Sequence, residues 1–231
     1  MHIENTDRFI KALMDISRAI NSDLYLEDIL KLIVMVTAKV TGVEICSLWL
    51  IEEDEKIRLK ATQSIEPAYL KDRTLGINEG VVGFVATEKR PMIIRDVLAE
   101  PLFKEKEMAA KLGLKSMVSV PLLLKDQRVI GVLNCFTSES HDFTDIEVNL
   151  ITTVANQAAV AIYNSELLIK TKVIQEELET RKLVERAKEI LMRRTPMSAE
   201  DAFRWLQKKS MDSRKSMRSI AEALLLSEEL Y

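Results

Sequence analysis

The stretch from Thr144 to Thr195 contains no proline and no glycine, although the chain of 231 residues has 5 prolines and 6 glycines elsewhere. These two residue types interrupt helices most strongly, because proline lacks a backbone donor and glycine has high backbone entropy. Thr144 and Glu147 have the spacing of a capping box, which starts a helix. The residue before Pro196 is disfavoured in helical conformation. The sequence therefore predicts one long helix that connects two parts of the chain.

Apolar residues recur every seven positions along this helix. One position of the repeat holds Ile162, Ile169, Glu176, Leu183 and Ile190, and a second holds Val173, Thr180 and Ala187. Such a repeat is typical of a coiled coil, although a helix that packs inside one chain shows a similar pattern. Because a long helix exposed on all sides is only marginally stable, the repeat favours a homodimer joined through residues 162–190.

The residues before the long helix alternate between helical and strand patterns. Helical stripes run from Phe9 to Ile20 and from Leu26 to Val40. Two strongly apolar strands, 114–124 and 129–136, are joined by a short polar turn, which is the spacing of an antiparallel hairpin. The pattern predicts an α+β domain.

Several short motifs of this region resemble the GAF domain family, a group of small-molecule sensors. They are Gly80–Ala86, Pro91–Asp96, Ser116–Pro121, Gly131–Asn134, and Phe143–Asp145 followed by Ala155–Gln157. The resemblance covers residues 7–165. It implies an antiparallel sheet with helices on one face and, on the other, a pocket for a small-molecule effector under the loops near 66–112. The bilin-anchoring cysteine and the cyclic-nucleotide residues of some relatives are not evident, so the cofactor or ligand stays unknown.

The C-terminal region has the opposite charge from the rest of the chain. Residues 181–231 hold 12 Lys and Arg against 8 Asp and Glu, a net of +4, whereas the first 180 residues carry a net of −7. Six cations between Arg204 and Arg218 are accompanied by one acid, Asp212. A basic helical unit after an acidic domain indicates an output module that binds a polyanion.

Three amphipathic helices are predicted in this region. Leu183, Ala187, Ile190 and Leu191 lie on one helical face, and Ser198 to Asp201 has the spacing of a capping box before a second helix. The third helix presents apolar residues from Met217 to Leu225.

The same residues resemble the ANTAR domain, a three-helix RNA-binding module of bacterial transcription antiterminators. The matching positions are Ala187-Lys188, Leu191-Met192, Ser198–Glu200, Ala202-Phe203, Leu206, Ser210, Arg218 and Ile220-Ala221. The chain departs from the family at Glu189, where glycine is usual. The resemblance implies a three-helix bundle over residues 181–231, with residues 166–180 as a helical linker.

Six residues are predicted to bind RNA: Lys188, Trp205, Lys209, Arg214, Lys215 and Arg218. The cations would contact phosphates, which makes binding dependent on salt. Trp205 stands among cations, where an indole can stack on an unpaired base, but it can equally cover the bundle or a partner subunit.

These features predict a signal-responsive transcription antitermination regulator that binds hairpin loops in nascent RNA, with two bundles of a dimer holding tandem hairpins. One alternative is a DNA-binding regulator with its last helix in the major groove. Another is a protein–protein signalling adaptor whose basic helices dock an acidic partner.

Enzyme chemistry finds little support in the sequence. His2 and His141 are the only histidines, and the two cysteines, Cys46 and Cys135, have no metal-ligand spacing. We expect no catalytic or metal site, and we expect both cysteines to be buried strand residues, with a redox thiol as the alternative. The absence of a long apolar run or signal sequence, together with the low cysteine content, predicts a cytoplasmic protein without membrane contact.

Overall fold

A computed structural model describes residues 26–64 and 73–229 of the chain. The chain divides into two compact units, with the boundary between Glu166 and Leu167. The predicted helical stripe from Phe9 to Ile20, His2, and part of the loop region near 66–112 lie outside the described residues.

The first unit contains six strands and four helices among its described residues, and the second contains two further helices. The strands are β1 (Ile45–Ile51), β2 (Lys56–Thr62), β3 (Thr74–Gly76), β4 (Met92–Ile94), β5 (Ser116–Leu123) and β6 (Val129–Thr137). The helices are α1 (Leu26–Thr41), α2 (Gly80–Glu88), α3 (Lys106–Leu112), α4 (Asp145–Arg194), α5 (Ala199–Ser213) and α6 (Met217–Glu229), of which α4 begins in the first unit and ends in the second.

The strands form one antiparallel sheet in the order β3-β2-β1-β6-β5-β4. The three central strands are buried along almost their whole length, which is why their sequences are nearly continuous apolar runs rather than alternating ones. The predicted hairpin of β5 and β6 is present, and the predicted α+β architecture with an antiparallel sheet is confirmed.

Both faces of the sheet are covered. Helix α1 and the first part of α4 pack on one face, where Ile151, Ala155, Ala158 and Ile162 recur along a single side of α4. On the other face lie α2, α3 and the loop that contains Phe103. The segment near 66–112, where loops over a pocket were expected, also contains helix α3 and strand β3, which the sequence did not predict.

The long helix predicted from the gap in proline and glycine is confirmed, since α4 is continuous over 50 residues. Its capping box is formed: the backbone N–H of Glu147 donates to the Thr144 hydroxyl at 3.3 Å, and the backbone N–H of Thr144 donates to the Glu147 carboxylate at 2.7 Å. The first of the three C-terminal helices is therefore not separate but is the last part of α4.

The second unit is a bundle of the end of α4, α5 and α6. Alanines occupy the crossings, since Ala187, Ala202 and Ala221 are all fully buried, together with Leu206. Small side chains at these positions let the helix backbones approach closely. At the start of α5 the Ser198 hydroxyl accepts the backbone N–H of Asp201 at 3.1 Å, as the capping box predicted.

The two cysteines lie side by side in the sheet. Cys46 and Cys135 are directly paired across β1 and β6, are fully buried, and have their Sγ atoms 3.5 Å apart. Burial away from water raises the pKa of the Cys46 thiol, which disfavours the reactive thiolate. Their predicted burial is confirmed, and their environment is that of packing residues.

Gly131 in β6 marks a point where two strands approach too closely for any side chain. A Cβ atom at this position would lie 2.2 Å from the backbone oxygen of Trp49. Gly131→Ala should therefore lower the free energy of unfolding by at least about 2 kcal/mol, since overpacking forces the backbone to move.

The measurement is chemical denaturation of the whole protein, and Gly76→Ala is the matched control. At Gly76 the nearest atom to an added Cβ is 3.8 Å away, so this second variant should change stability little. Equal effects of the two substitutions would contradict the role assigned to Gly131.

Candidate nucleic-acid interface

The bundle in the second unit carries a surplus of positive charge, because residues 181–231 have a net charge of +4. The turn between α5 and α6 holds Arg214 and Lys215, and helix α5 presents Arg204, Lys208 and Lys209. All five of these residues are exposed. Which of them can contact a ligand depends on the acids that surround them.

Some cations of the bundle are already engaged in ion pairs. The Arg218 guanidinium donates to Glu222 at 2.8 Å and lies 3.6 Å from Glu179 of α4. The hydrogen bond to Glu222 raises the pKa of Arg218, and the charges of the neighbouring acids act in the same direction. Arg218 was predicted to bind RNA, but its contacts show that it also fastens α6 to α4.

Lys188 is similarly occupied. Its ammonium lies 3.0 Å from Glu185, one turn earlier on α4, and its side chain is only 16% exposed. Arg204 pairs with Glu200 on α5 at 2.6 Å, and Arg194 pairs with Glu228 of α6. These ion pairs neutralise several of the 12 Lys and Arg residues between positions 181 and 231.

Among the cations of α5 and of the α5–α6 turn, four make no ion pair within the described residues: Lys208, Lys209, Arg214 and Lys215. Lys208 was not among the predicted site residues. The sequence feature that could have identified Lys208 is its position in the basic stretch from Arg204 to Arg218. It lies four residues after Arg204, on the same helix face.

Trp205 belongs partly to the bundle and partly to the surface. Its ring is half-buried against the core of Ala202, Leu206 and Ala221, while the Lys209 ammonium lies 5.7 Å from the ring centroid. Trp205 therefore covers the bundle, as one of the two sequence hypotheses held, and its uncovered part remains next to an unpaired cation.

The turn between α5 and α6 has an unusual backbone. Arg214 adopts a left-handed conformation, with φ of 54° and ψ of 33°. The backbone N–H of Lys215 donates to Ser210 O at 3.2 Å, and that of Arg214 donates to Met211 O at 3.2 Å. This is the Schellman ending of a helix, in which the left-handed position is normally glycine.

The two ends of α5 carry opposite charges, because the acids Glu200 and Asp201 lie in its first turn. The Ser198 hydroxyl donates to the Asp201 carboxylate at 2.7 Å, and this hydrogen bond lowers the pKa of Asp201. Asp201 thus remains charged at the helix start, where a negative charge complements the helix dipole. The free cations lie towards the other end of α5.

The fold and these residues define a class: a sheet domain followed by a basic helical bundle, with one helix running from the first into the second. A GAF domain model matches residues 25–162, and an ANTAR domain model matches residues 172–225. The chain belongs to the GAF domain family and carries an ANTAR domain after its GAF domain.

Comparison with known proteins supports both assignments. The transcriptional regulatory protein PdtaR from two strains of Mycobacterium tuberculosis is 50% identical over 52 residues, which are 22% of this chain and 25% of PdtaR. The chain thus matches about a quarter of the length of these relatives.

Two solved structures share the fold of the first unit. The GAF domain of a phosphoenolpyruvate-protein phosphotransferase from Coxiella burnetii has a TM-score of 0.61 and 24% identity, covering 69% of this chain and 95% of that chain. The free methionine-R-sulfoxide reductase from Neisseria meningitidis has a TM-score of 0.57 and 19% identity, covering 69% of this chain and 91% of that chain. Likeness at this level concerns the fold alone.

Within residues 26–64 and 73–229 no group of three or more His, Cys, Asp or Glu side chains is arranged to hold a metal ion. His141 pairs with Glu147 at 2.9 Å and stacks edge-on against Phe143. Among the helices in the same ranges, none combines the length and the apolar character needed to cross a bilayer.

The left-handed conformation of Arg214 gives a prediction about stability. A non-glycine residue in this region is disfavoured by about 1 kcal/mol, so Arg214→Gly should raise the free energy of unfolding by about that amount. Gln127→Gly is a matched control, because Gln127 also has a positive φ, of 63°, but lies in the β5–β6 turn. Thermal unfolding of the two variants should show similar increases, and a fall in stability for Arg214→Gly would contradict the strain assigned to this turn.

Proposed function

We propose that this protein is a signal-responsive regulator of transcription antitermination, whose ANTAR domain binds hairpin loops in nascent RNA. The observation that carries the proposal is the group of four unpaired cations, Lys208, Lys209, Arg214 and Lys215, next to the partly exposed ring of Trp205. The similarity to PdtaR, a transcriptional regulatory protein, supports a role in transcription.

The chemistry of this surface suits a single-stranded loop of RNA. Ammonium and guanidinium groups bind phosphates, while an aromatic ring beside them stacks on a base that is not paired. Duplex DNA offers no such unstacked base, and a regulator of DNA would need a helix free to enter the major groove. On α6 the base-reading position of such a helix would fall near Arg218, which is held by Glu179 and Glu222.

The action proposed is binding rather than catalysis. By holding a hairpin in the nascent transcript, the bundle would prevent a terminator stem from forming. The GAF domain would supply the signal by binding a small-molecule effector, and the site of action would be the cytoplasm, where nascent bacterial transcripts are made.

The test of RNA binding compares two triple variants of the full chain. In the first, Lys209, Arg214 and Lys215 are replaced by Gln, and in the second the exposed residues Lys39, Lys106 and Lys125 of the GAF domain are replaced by Gln. Both variants lose the same net charge. The first should bind a hairpin RNA at least tenfold more weakly and reduce the dependence of log K on log salt by about 2, as the loss of three phosphate contacts requires.

Each alternative function has its own outcome in this experiment. Equal loss in both variants would show that only the overall charge matters, and tighter binding of duplex DNA than of hairpin RNA at the same salt would favour the DNA-binding regulator. No salt-dependent binding to either nucleic acid would favour the adaptor. Read-through of a terminator in single-round transcription would then test antitermination itself.

Arg214 allows binding to be separated from folding. Arg214→Gly should stabilise the bundle yet weaken binding of RNA, whereas Arg214→Lys keeps the charge and should retain most of the affinity. A variant that is more stable but binds less cannot owe its defect to unfolding.

We also propose that the protein is a homodimer joined through the middle of α4. Six large apolar side chains are exposed there: Leu167, Leu168, Ile169, Val173, Ile174 and Leu178. Such a patch on one helix marks an interaction site, and a second copy would place two bundles beside each other for tandem hairpins.

Only the middle of the heptad repeat predicted from the sequence is exposed in the structure. Ile162 at one end is buried in the core of the first unit, whereas Leu183, Ala187 and Ile190 at the other end are buried or partly buried within the second. Only Ile169 and Val173 of the apolar repeat positions remain exposed, at 50% and 49%. A second stripe of Leu167, Ile174 and Leu178 lies on another side of the helix.

Two double variants identify the contact. Ile169 and Val173 are replaced by Lys in one, Ile174 and Leu178 in the other, and Gln175→Lys serves as the control at an exposed polar position. Burial of an ammonium in an apolar seam costs several kcal/mol, so the variant at the true seam should become monomeric at micromolar concentration. Light scattering should give twice the 26.3 kDa chain mass for the unaltered protein and the control. A monomer in the unaltered protein would contradict the proposed dimer.

A further inference from the structure

Helix α5 presents an aromatic side chain that the core of the bundle does not use. Phe203 is 41% exposed, and it is not one of the buried or partly buried residues that pack around Ala202, Leu206 and Ala221. Trp205, two residues further along the same helix, does belong to that packing. The ring of Phe203 is therefore available for a contact outside the bundle.

Phe203 is the first member of an exposed row of side chains, which we call the α5 stripe. Gln207 lies one turn later and Met211 a further turn along, and both are exposed, Met211 by 72%. Residues four apart are neighbours on a helix surface, with Cβ atoms about 6 Å apart, so the three side chains adjoin one another. Within the described residues the amide of Gln207 makes no hydrogen bond, so both its donor and its acceptor can serve a ligand.

Two cations without ion pairs border the α5 stripe. Lys208 follows Gln207 directly in the sequence, and its charge is unpaired among the described residues. Arg214, also unpaired there, stands at the end of the helix eleven residues after Phe203, which is close to three full turns. Its Cα therefore lies on the same side of the helix as the stripe.

The acids of α5 leave this positive character in place. Glu200, one turn before Phe203, pairs with Arg204 at 2.6 Å. Asp201 is two residues from Phe203 and Asp212 is nine, and both separations place the acid on the opposite side of the helix. The stripe is thus an apolar and amide surface in a positive surrounding, which attracts a polyanion.

The chemistry of the α5 stripe matches the parts of an unpaired nucleotide. An aromatic ring stacks on the flat face of a base, and this contact is available with every base. A primary amide both donates and accepts, so it can form hydrogen bonds with the edge of a base that is not paired. The thioether of Met211 packs well against aromatic surfaces, and neighbouring cations bind the phosphates.

A second copy of the chain fits this surface less well. A two-fold symmetric contact brings the same patch of both copies together, so Lys208 and Arg214 would meet their equivalents. Like charges that face each other across an interface oppose association. The unpaired cations thus favour an anionic ligand at the stripe over a copy of the same chain.

We propose that the α5 stripe binds one unpaired base of the RNA loop, with the base stacked on Phe203 and its edge hydrogen-bonded to Gln207. The inference rests on the proposed RNA binding of the ANTAR domain and assigns the residues that recognise a base rather than a phosphate. Successive residues are turned by about 100° on a helix, so Phe203 and Trp205 lie on different sides of α5. The stripe is therefore a contact separate from the ring of Trp205.

Two hairpin RNAs with the same stem and loops of the same length test the proposal. One has adenosine at every loop position, and the other has abasic nucleotides there, so the two carry the same phosphates and differ only in the loop bases. The unaltered full-length protein should bind the adenosine hairpin at least about fivefold more tightly, because a stacked base contributes that much or more. Equal affinities for the two hairpins would overturn the assignment.

Variants of the stripe identify which residues make the contact with the base. Phe203→Leu stays apolar but removes the aromatic ring, and Gln207→Leu keeps the approximate size but removes the hydrogen-bonding groups. Each should lower the ratio of the two affinities at least about threefold. Leu226→Ala, at a position of α6 that is 60% exposed, is the control and should leave the ratio unchanged. An unchanged ratio in both stripe variants would overturn the proposal.

The abasic hairpin separates this contact from RNA binding as such. Phe203→Leu should bind it as well as the unaltered protein does, because the cations of the surface remain. An equal loss of affinity for both hairpins would overturn the base contact, and light scattering would then show whether the stripe instead joins two copies. If both hairpins bind without a preference for adenosine, only the base contact fails, whereas no binding of either hairpin would remove the proposed function together with it.

Discussion

The burial of one helix in two separate cores is the interaction on which the rest of the structure depends. Helix α4 places Ile151, Ala155 and Ile162 against the sheet and, further along, Val184, Ala187 and Leu191 against α5 and α6. Neither unit is complete without its part of α4. Helices in proteins owe most of their stability to such packing, so the ends of α4 are fixed by burial, and its exposed middle depends on propensity and on partners.

This arrangement gives the exposed middle of α4 a particular importance. A helix without breaks transmits a rotation or a shift along its axis more directly than a loop does, because its backbone hydrogen bonds are continuous. A change in the packing of the GAF core would therefore displace α4 first at Ile162 and then at the exposed residues that follow it. In the proposed dimer, a change in the contact between the two copies would follow, and a ligand produces it only if it prefers one arrangement.

Electrostatics in the bundle divide the cations into two groups. Arg194 of α4 pairs with Glu228 of α6, and Arg218 of α6 pairs with Glu179 of α4, whereas Lys209, Arg214 and Lys215 make no ion pair within the described residues. Exposed ion pairs contribute little stability individually, but they remove cations from the surface that a polyanion would meet. The retention of arginine at the left-handed end of α5, where glycine would be less strained, is consistent with a role for its charge.

The sequence by itself determined the order and type of the main elements. The absence of proline and glycine predicted α4, two capping boxes predicted the starts of α4 and α5, and apolar runs predicted β5 and β6, because these signals act within a few residues of each other. The motifs also predicted both families. The sequence did not predict α3 or β3, because both elements are short and form through contacts with the sheet and its neighbours.

The candidate site was predicted less completely. Composition identified the basic region, but only the tertiary structure separated the paired Lys188 and Arg218 from the unpaired Lys208, and placed Trp205 partly in the core. It likewise brought Val81 of α2 and Val132 of β6 into one core cluster, although these residues lie 51 positions apart in the sequence. The reason is physical: ion pairs and cavities join residues distant in sequence, and a local pattern contains no information about which acid or which helix end will lie opposite a given side chain.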